Sequence, residues 1–233
     1  MTRWQAMSTS RDQRADDLGT QLRTAILEGE FAPGERLVEA ELSRRFDETR
    51  AAVRQALIQL DGEGLVERER NRGAKVRAIS LDEAIEITEA RAVLEGLAAA
   101  KAARSATDDE RERLRELIAG MREAVEDSDI VRYSTLTHAV HDAVREMARQ
   151  DTVAKLLERL RYESVRYHFG VALLPGRPQV GLREHDELVE AIVAGEAEQA
   201  EKIMREHLMS VIDALRQLSN EDSRRLLPGG RYS

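Results

Sequence analysis

The tetrapeptide Ser80-Leu-Asp-Glu83 limits the folds open to this chain more than any other feature. It is a capping box, with a serine hydroxyl to close the free N–H groups of a first helical turn and a glutamate three residues on to reach back. The residues that follow carry a helical period, with Ile85, Ile87, Val93, Leu94 and Leu97 expected on the inner face. A second box, Thr107-Asp-Asp-Glu110, opens a helix with Leu114, Leu117, Ile118 and Met121 inward. Further helices are expected at residues 129–149, 152–173, 179–194 and 196–219, broken at Pro175-Gly176 and Ala194-Gly195. Aromatic residues make up only 3% of the chain and there are only 4 prolines, which argues against a large β-sandwich or barrel.

Before Ser80 the pattern is different. Leu18, Leu22, Ile26 and Leu27 form a helical stripe that Gly29 stops, and Phe31-Ala-Pro33-Gly34 reads as a turn. A short helix from Val38 to Phe46 places Leu42 and Phe46 on one face, and Asp47-Glu48-Thr49 interrupts it. A third helix runs from Arg50 to Asp61 with Val53, Ala56, Leu57 and Leu60 inward, ended by Gly62 and Gly64. Two short strands, Leu65 to Glu69 and Ala74 to Arg77, are joined by Asn71-Arg72-Gly73, a hairpin composition. The fold class is therefore mainly α. A winged helix-turn-helix is expected over residues 11–79, an all-α helical bundle over 80–219, and a disordered tail over 220–233.

The net charge of -8 speaks against a polyanionic partner until its distribution is read. Residues 1–79 hold 14 basic and 14 acidic side chains, so the excess acid lies beyond them. Arg68, Arg70, Arg72, Lys75 and Arg77 face Glu69 alone within ten residues. That is either a small polyanion-binding module on an acidic body or a solvated loop, and charge alone leaves both open. The third helix favours the first. Arg50 and Arg54, four residues apart, project on one side, and a guanidinium there can pair with guanine O6 and N7 in the major groove of double-stranded DNA. Ala51 and Ala52 let the backbone come close, and Thr49 can cap the helix and leave its positive end near a phosphate. Arg72 and Gly73 form the wing tip, and Arg44 and Arg45 are candidate phosphate contacts. The competing account is an exposed helix paired with its own acids.

There is no cysteine, which excludes disulfides, thiolate metal sites and cysteine nucleophiles and fits a reducing cytoplasm. No apolar run approaches the ~20 residues needed to cross a bilayer. Met1 to Met7 has no apolar signal core, so neither membrane insertion nor export is expected.

Several stretches closely resemble the winged-helix domain of GntR-family bacterial regulators. They are Leu22-Arg-Thr-Ala-Ile26, Phe31-Ala-Pro-Gly-Glu-Arg-Leu37, Glu39-Ala-Glu-Leu42, Thr49-Arg50, Val53-Arg54-Gln-Ala-Leu57, Gly64-Leu-Val66 and Asn71-Arg-Gly73. The remainder resembles the FCD ligand-binding domain of the FadR subfamily, through Arg91-Ala-Val-Leu-Glu95-Gly-Leu-Ala98, Val140-His141, Glu184-His185 and Met204-Arg-Glu-His207-Leu. Two departures fall on the DNA face. Ala51-Ala52 replaces the family's threonine-proline pair, and Asp47-Glu48 replaces a glycine and an apolar residue, which points to an altered operator preference. One recognition helix reads too few base pairs for useful specificity, so a homodimer on a short palindromic operator is expected. The resemblance implies that a small-molecule effector modulates operator affinity, with derepression the commoner outcome.

All five histidines (His138, His141, His168, His185 and His207) come after residue 137. His141, His185 and His207 lie on three expected helices, which a bundle can aim at one interior point, and three imidazoles suffice for Zn²⁺, Ni²⁺ or a similar divalent ion. Spacing alone favours surface or hydrogen-bonded core histidines. The resemblance makes these three the metal ligands, but Thr137 stands where the family has an aspartate or asparagine. Three outcomes stay open: a three-histidine site completed by water or an effector oxygen, a weakly held ion, or no metal and a polar cavity. His138, rotated about 100° from Thr137, would need a local helix shift to serve instead. Tyr133, Thr137 and His141 share a face lining that cavity. Arg91 either clamps an effector carboxylate or pairs with Glu95. By family analogy the effector is an organic acid. The rivals are a three-histidine metal hydrolase, for which no general base stands at motif spacing, and a non-catalytic helical metal-binding protein.

Overall fold

Thr107 closes its helix as its spacing implies. Its hydroxyl accepts from the Glu110 N–H, and the Glu110 carboxylate accepts from the Thr107 N–H. At Ser80 the hydroxyl accepts from the Glu83 N–H at 3.1 Å. The structure, a computed structural model, describes residues 18–26, 30–69 and 73–218. Arg70, Asn71 and Arg72, the helix stop at Leu27 and Gly29, and the 220–233 tail lie outside the described residues. So does the side chain of His168.

Two compact units meet at Ile79–Ser80. In the first, α1 covers residues 18–26, followed by β1 (Arg36–Leu37), α2 (Glu39–Arg45), α3 (Arg50–Gly62), β2 (Val66–Glu69) and β3 (Gly73–Val76). Leu18, Leu22, Leu42, Val53, Leu57 and Leu60 are buried as their period requires. Asp47 takes a left-handed φ of 52° in the turn between α2 and α3, a conformation aspartate tolerates.

The antiparallel sheet runs β1-β3-β2. Its two-residue first strand went unread in the sequence, because two residues carry no alternation. Leu37 pairs with Ala74 and Arg36 with Lys75, which covers the outer edge of β3. Gly73 sits at φ +87°, and a Cβ there would lie 2.5 Å from the Leu37 carbonyl oxygen. The sheet thus already requires glycine at this position. Gly73→Ala is expected to destabilise the N-terminal unit by about 1–3 kcal/mol, visible as a lowered denaturation midpoint of the full chain. An unchanged midpoint would show that β1 yields freely.

The second unit contains α4 (Leu81–Ser105), α5 (Asp108–Glu126), α6 (Ile130–Met147), α7 (Asp151–Ala172), α8 (Arg177–Ala194) and α9 (Ala197–Gln217). α4 packs along α9, and α5 packs against α6 and α8. The expected inner stripe of α4 needs correction. Val93 is 53% and Leu97 39% exposed, while Ala84, Thr88, Arg91, Glu95, Ala99 and Ala102 are buried. The inner face does follow the helical period. Many of its occupants are alanines, which let helices approach closely, together with a charged pair. Of the expected stripe Ile87 is buried and Ile85 and Leu94 pack against the core, so large apolar residues alone locate only part of this face. Among the described residues no helix is long and apolar enough to cross a membrane.

Candidate functional site

Each unit carries its own candidate site. In the first, Thr49 caps α3 by accepting from the Ala52 N–H at 3.1 Å. Arg50 and Arg54 stand exposed on the outer side of α3, opposite the buried Val53, Ala56 and Leu57. Arg54 donates two hydrogen bonds to Glu39 of α2, 3.0 Å from Nε and 2.7 Å from a terminal nitrogen. Glu39 and Arg54 are 15 residues apart on different helices, so spacing alone does not pair them. Because the pair is solvent-exposed, it costs little to exchange for a base or phosphate. Arg44 is exposed, whereas Arg45 pairs with Glu30 and lies 4.6 Å over the Phe31 ring, so it also braces the unit. Gly73 opens β3, and Arg72 is outside the described residues.

In the second unit, Arg91, Tyr133, Thr137, His141, His185 and His207 all line one cavity of about 60 Å³, room for several water-sized groups. The three histidines come from α6, α8 and α9, are at least 94% buried, and bring one ring nitrogen each to within 4.8 Å of the others. His138 lines the cavity without joining the trio.

What makes the trio unusual is the partner behind each ring. His185 Nδ1 is 2.6 Å from the Gly181 carbonyl, which only accepts, so this nitrogen carries the proton and Nε2 is a bare lone pair. His207 Nδ1 donates to Glu184 at 2.8 Å, and His141 Nδ1 bonds to Glu95. The Nε2 atoms of His141 and His185 then meet at 3.2 Å. Two lone pairs at that distance repel unless a cation lies within reach, either a second proton on one ring or a metal ion. Two nitrogens bound to one ion at about 2.1 Å stand roughly 3.0–3.4 Å apart, so this donor set fits a divalent metal. The Thr137 hydroxyl oxygen is buried and no hydrogen bond of normal geometry reaches it, although the Tyr133 hydroxyl is close enough to influence it.

The electrostatics run the same way. Burial would raise the Glu95 carboxyl, but Arg91 and then His141 hold it well below the usual carboxylate range. Burial likewise opposes ionisation of Glu184, and the hydrogen bonds from His207 and Arg177 bring it down to about 2. Burial pushes His185 well below the usual histidine range, helped by the neighbouring rings of His207 and His141. His207 is lowered by burial against the opposing pull of Glu184. Neutral imidazoles at His185 and His207, with ionised carboxylates at Glu95 and Glu184, are protonation states that suit a cation site.

Arg91 pairs with Glu95 at 2.7 Å while also lining the cavity, so both roles open to it in the sequence are compatible. Sequence reasoning missed Arg177, Glu184 and Gly181 in this site. Arg177 lies on the cavity wall and grips Glu184 through both terminal nitrogens, at 3.2 and 2.9 Å. A Cβ at Gly181 would run into the Tyr133 hydroxyl, and the Gly181 carbonyl fixes His185. A lone glycine inside a helical stripe, four residues before a histidine, was the available signal.

Comparison with known proteins agrees with both units. The family described as bacterial regulatory proteins, gntR family, matches residues 14–76, and the FCD domain family matches residues 86–210. The HTH-type transcriptional repressor RspR of Escherichia coli (strain K12) is 28% identical over 204 residues, spanning 87% of this chain and 89% of that protein. The HTH-type transcriptional regulator LutR of Bacillus subtilis (strain 168) is 26% identical over 211 residues, spanning 82% and 95%. Among solved structures, E. coli McbR/YncC superposes with a TM-score of 0.75 at 20% identity, covering 88% of this chain and 97% of that one. A GntR regulator from Rhodococcus sp. RHA1 reaches 0.71 at 24% identity, covering 89% and 100%. The two structural likenesses concern the fold alone. The families and relatives are transcriptional regulators and not enzymes, which removes the hydrolase reading. A winged helix-turn-helix followed by a helical FCD domain thus makes this chain a member of the GntR family of bacterial transcriptional regulators.

Proposed function

We propose that the chain is a cytoplasmic repressor of the FadR subfamily that binds a palindromic operator as a homodimer and is released by an organic acid. The observation that carries this reading is the convergence of three buried imidazoles with the Arg91 guanidinium on one cavity, in a chain whose other unit exposes Arg50 and Arg54 on a capped helix. His141, His185 and His207 would hold a divalent ion, and the Thr137 hydroxyl is too poor a ligand to saturate it. When bound, the ion supplies open positions for an anionic oxygen. Arg91 attracts and orients the carboxylate, Tyr133 and Thr137 shape the wall, and the buried setting excludes bulk water.

A homodimer is required because one recognition helix reads too few base pairs for useful specificity. Arg50 and Arg54 read bases, Thr49, Arg44 and Arg45 set the helix on the backbone, and the wing residues Arg72 and Gly73 lie along the adjacent groove. The effector acts by binding the DNA-competent and DNA-incompetent arrangements unequally. RspR carries the word repressor in its name, which supports that sign. The test is fluorescence anisotropy with the palindromes upstream of the chain's own gene against random duplex, with and without a panel of small carboxylic acids. The expected result is operator binding at least 1,000-fold tighter than random duplex, in line with specific binders, and weakened by one class of acid. Equal binding to both duplexes would sink the proposal.

A further inference from the structure

Behind two of the three histidines lie two arrangements of the same kind. In one, the Glu95 carboxylate accepts from Arg91 Nε at 2.8 Å through one oxygen and bonds to His141 Nδ1 through the other. In the second, Glu184 accepts from both terminal nitrogens of Arg177 and from His207 Nδ1 at 2.8 Å. Ser210 adds a hydrogen-bond contact to Arg177 at 3.1 Å. Both arginines line the cavity, as do His141 and His207. Neither carboxylate lines it. Each therefore sits one layer back, shared between a wall arginine and a histidine. The two were built independently: Arg91 and Glu95 are one turn apart on α4, while Arg177 and Glu184 are two turns apart on α8.

We propose that Glu95 and Glu184 are positioning residues that keep the proton of His141 and His207 on Nδ1, so that the Nε2 lone pairs face the cavity, and that each transmits the state of its wall arginine to its histidine. A carboxylate has a fixed amount of negative charge to share among its donors. When an anion draws Arg91 or Arg177 away, the carboxylate turns more fully to the imidazole and raises the ring's basicity as a donor. A ligand on the wall would then change the hold on a metal without touching a metal ligand. This rests on the metal reading above, and the experiment separates the two.

The test uses the full-length chain and Zn²⁺ as the probe. Long-range ¹H–¹⁵N spectra of the metal-free protein are expected to show His207 and His141 protonated on Nδ1. Glu184→Ala should move proton density on His207 to Nε2 and leave His141 unchanged, and Glu95→Ala should do the reverse. Calorimetric Zn²⁺ affinity should fall 10- to 100-fold in Glu184→Ala. Glu184→Gln, whose amide oxygen still accepts from Nδ1–H, should recover most of that loss and guards against a folding artefact. Arg177→Met should shift the His207 Nδ1 proton signal downfield while the tautomer stays. A wild-type His207 protonated on Nε2, a Gln variant no better than Ala, or an Arg177→Met signal that does not move would each overturn the proposal. Wild-type rings protonated on Nδ1 in a chain that takes up no Zn²⁺ would support the positioning role and sink the metal reading instead.

Discussion

Purified without chelator, the full-length chain is expected to carry close to one divalent ion per protomer, and the His185→Ala variant almost none. The reason is geometric. His185 is the one ring of the three whose proton is held by a backbone carbonyl, so its Nε2 lone pair is fixed whatever the carboxylates do. It is also close to both other rings, with centroids 5.2 Å from His141 and 4.4 Å from His207. Removing it deletes one of three protein donors, which costs more than the 10- to 100-fold that loss of an outer hydrogen-bond partner costs. Inductively coupled plasma mass spectrometry gives the metal content, and thermal melting shows whether the variant remains folded. A folded His185→Ala chain that keeps its ion would place the metal elsewhere. A wild-type chain without metal would mean that Thr137 marks a lost site and that the effector is held by Arg91, Tyr133 and the histidines directly.

The second large effect is expected at the operator. Arg50→Ala and Arg54→Ala should each lower the ratio of specific to random-duplex binding by about 10- to 100-fold, the range of one bidentate base contact. The two variants differ in what they leave behind. Arg54 is held by Glu39 before DNA arrives, so its removal strands a carboxylate beside the groove and should depress binding to every duplex as well. Arg50 stands exposed on α3, and its removal should act mainly on base preference. Anisotropy titrations over a salt series distinguish the cases, since a phosphate contact changes the salt slope and a base contact does not. If neither variant changes discrimination, α3 is not the reading helix.

Much of this protein follows from short-range chemistry, which is why it was legible in the sequence. Thr107 and Glu110 close a helix because a hydroxyl and a carboxylate three residues apart meet the free N–H groups of a first turn wherever they occur. Val53, Ala56, Leu57 and Leu60 are buried because their period places them on one side of α3, and Arg50 and Arg54 face out for the same reason. Asp47 makes its turn with a side chain that tolerates positive φ. The three histidines could be named, but their meeting could not be derived from spacing, because separations between helices carry no angle.

The remainder is tertiary. Val93 and Leu97 look like core and lie outside, while the charged pair Arg91 and Glu95 is buried, because α4 packs its small residues against neighbouring helices and only tertiary contacts decide its inner side. β1 exists only because Leu37 finds Ala74. Glu184 stands next to His185 in the sequence yet serves His207, 23 residues on, because successive residues of a helix point about 100° apart. Sequence determined most of the elements, the caps at Thr49, Ser80 and Thr107 and the amphipathic side of α3, all of which depend on residues within a turn or two of one another. Tertiary structure decided which polar side chains share the buried cavity, because that depends on how six helices rotate about their axes when their apolar sides are buried together.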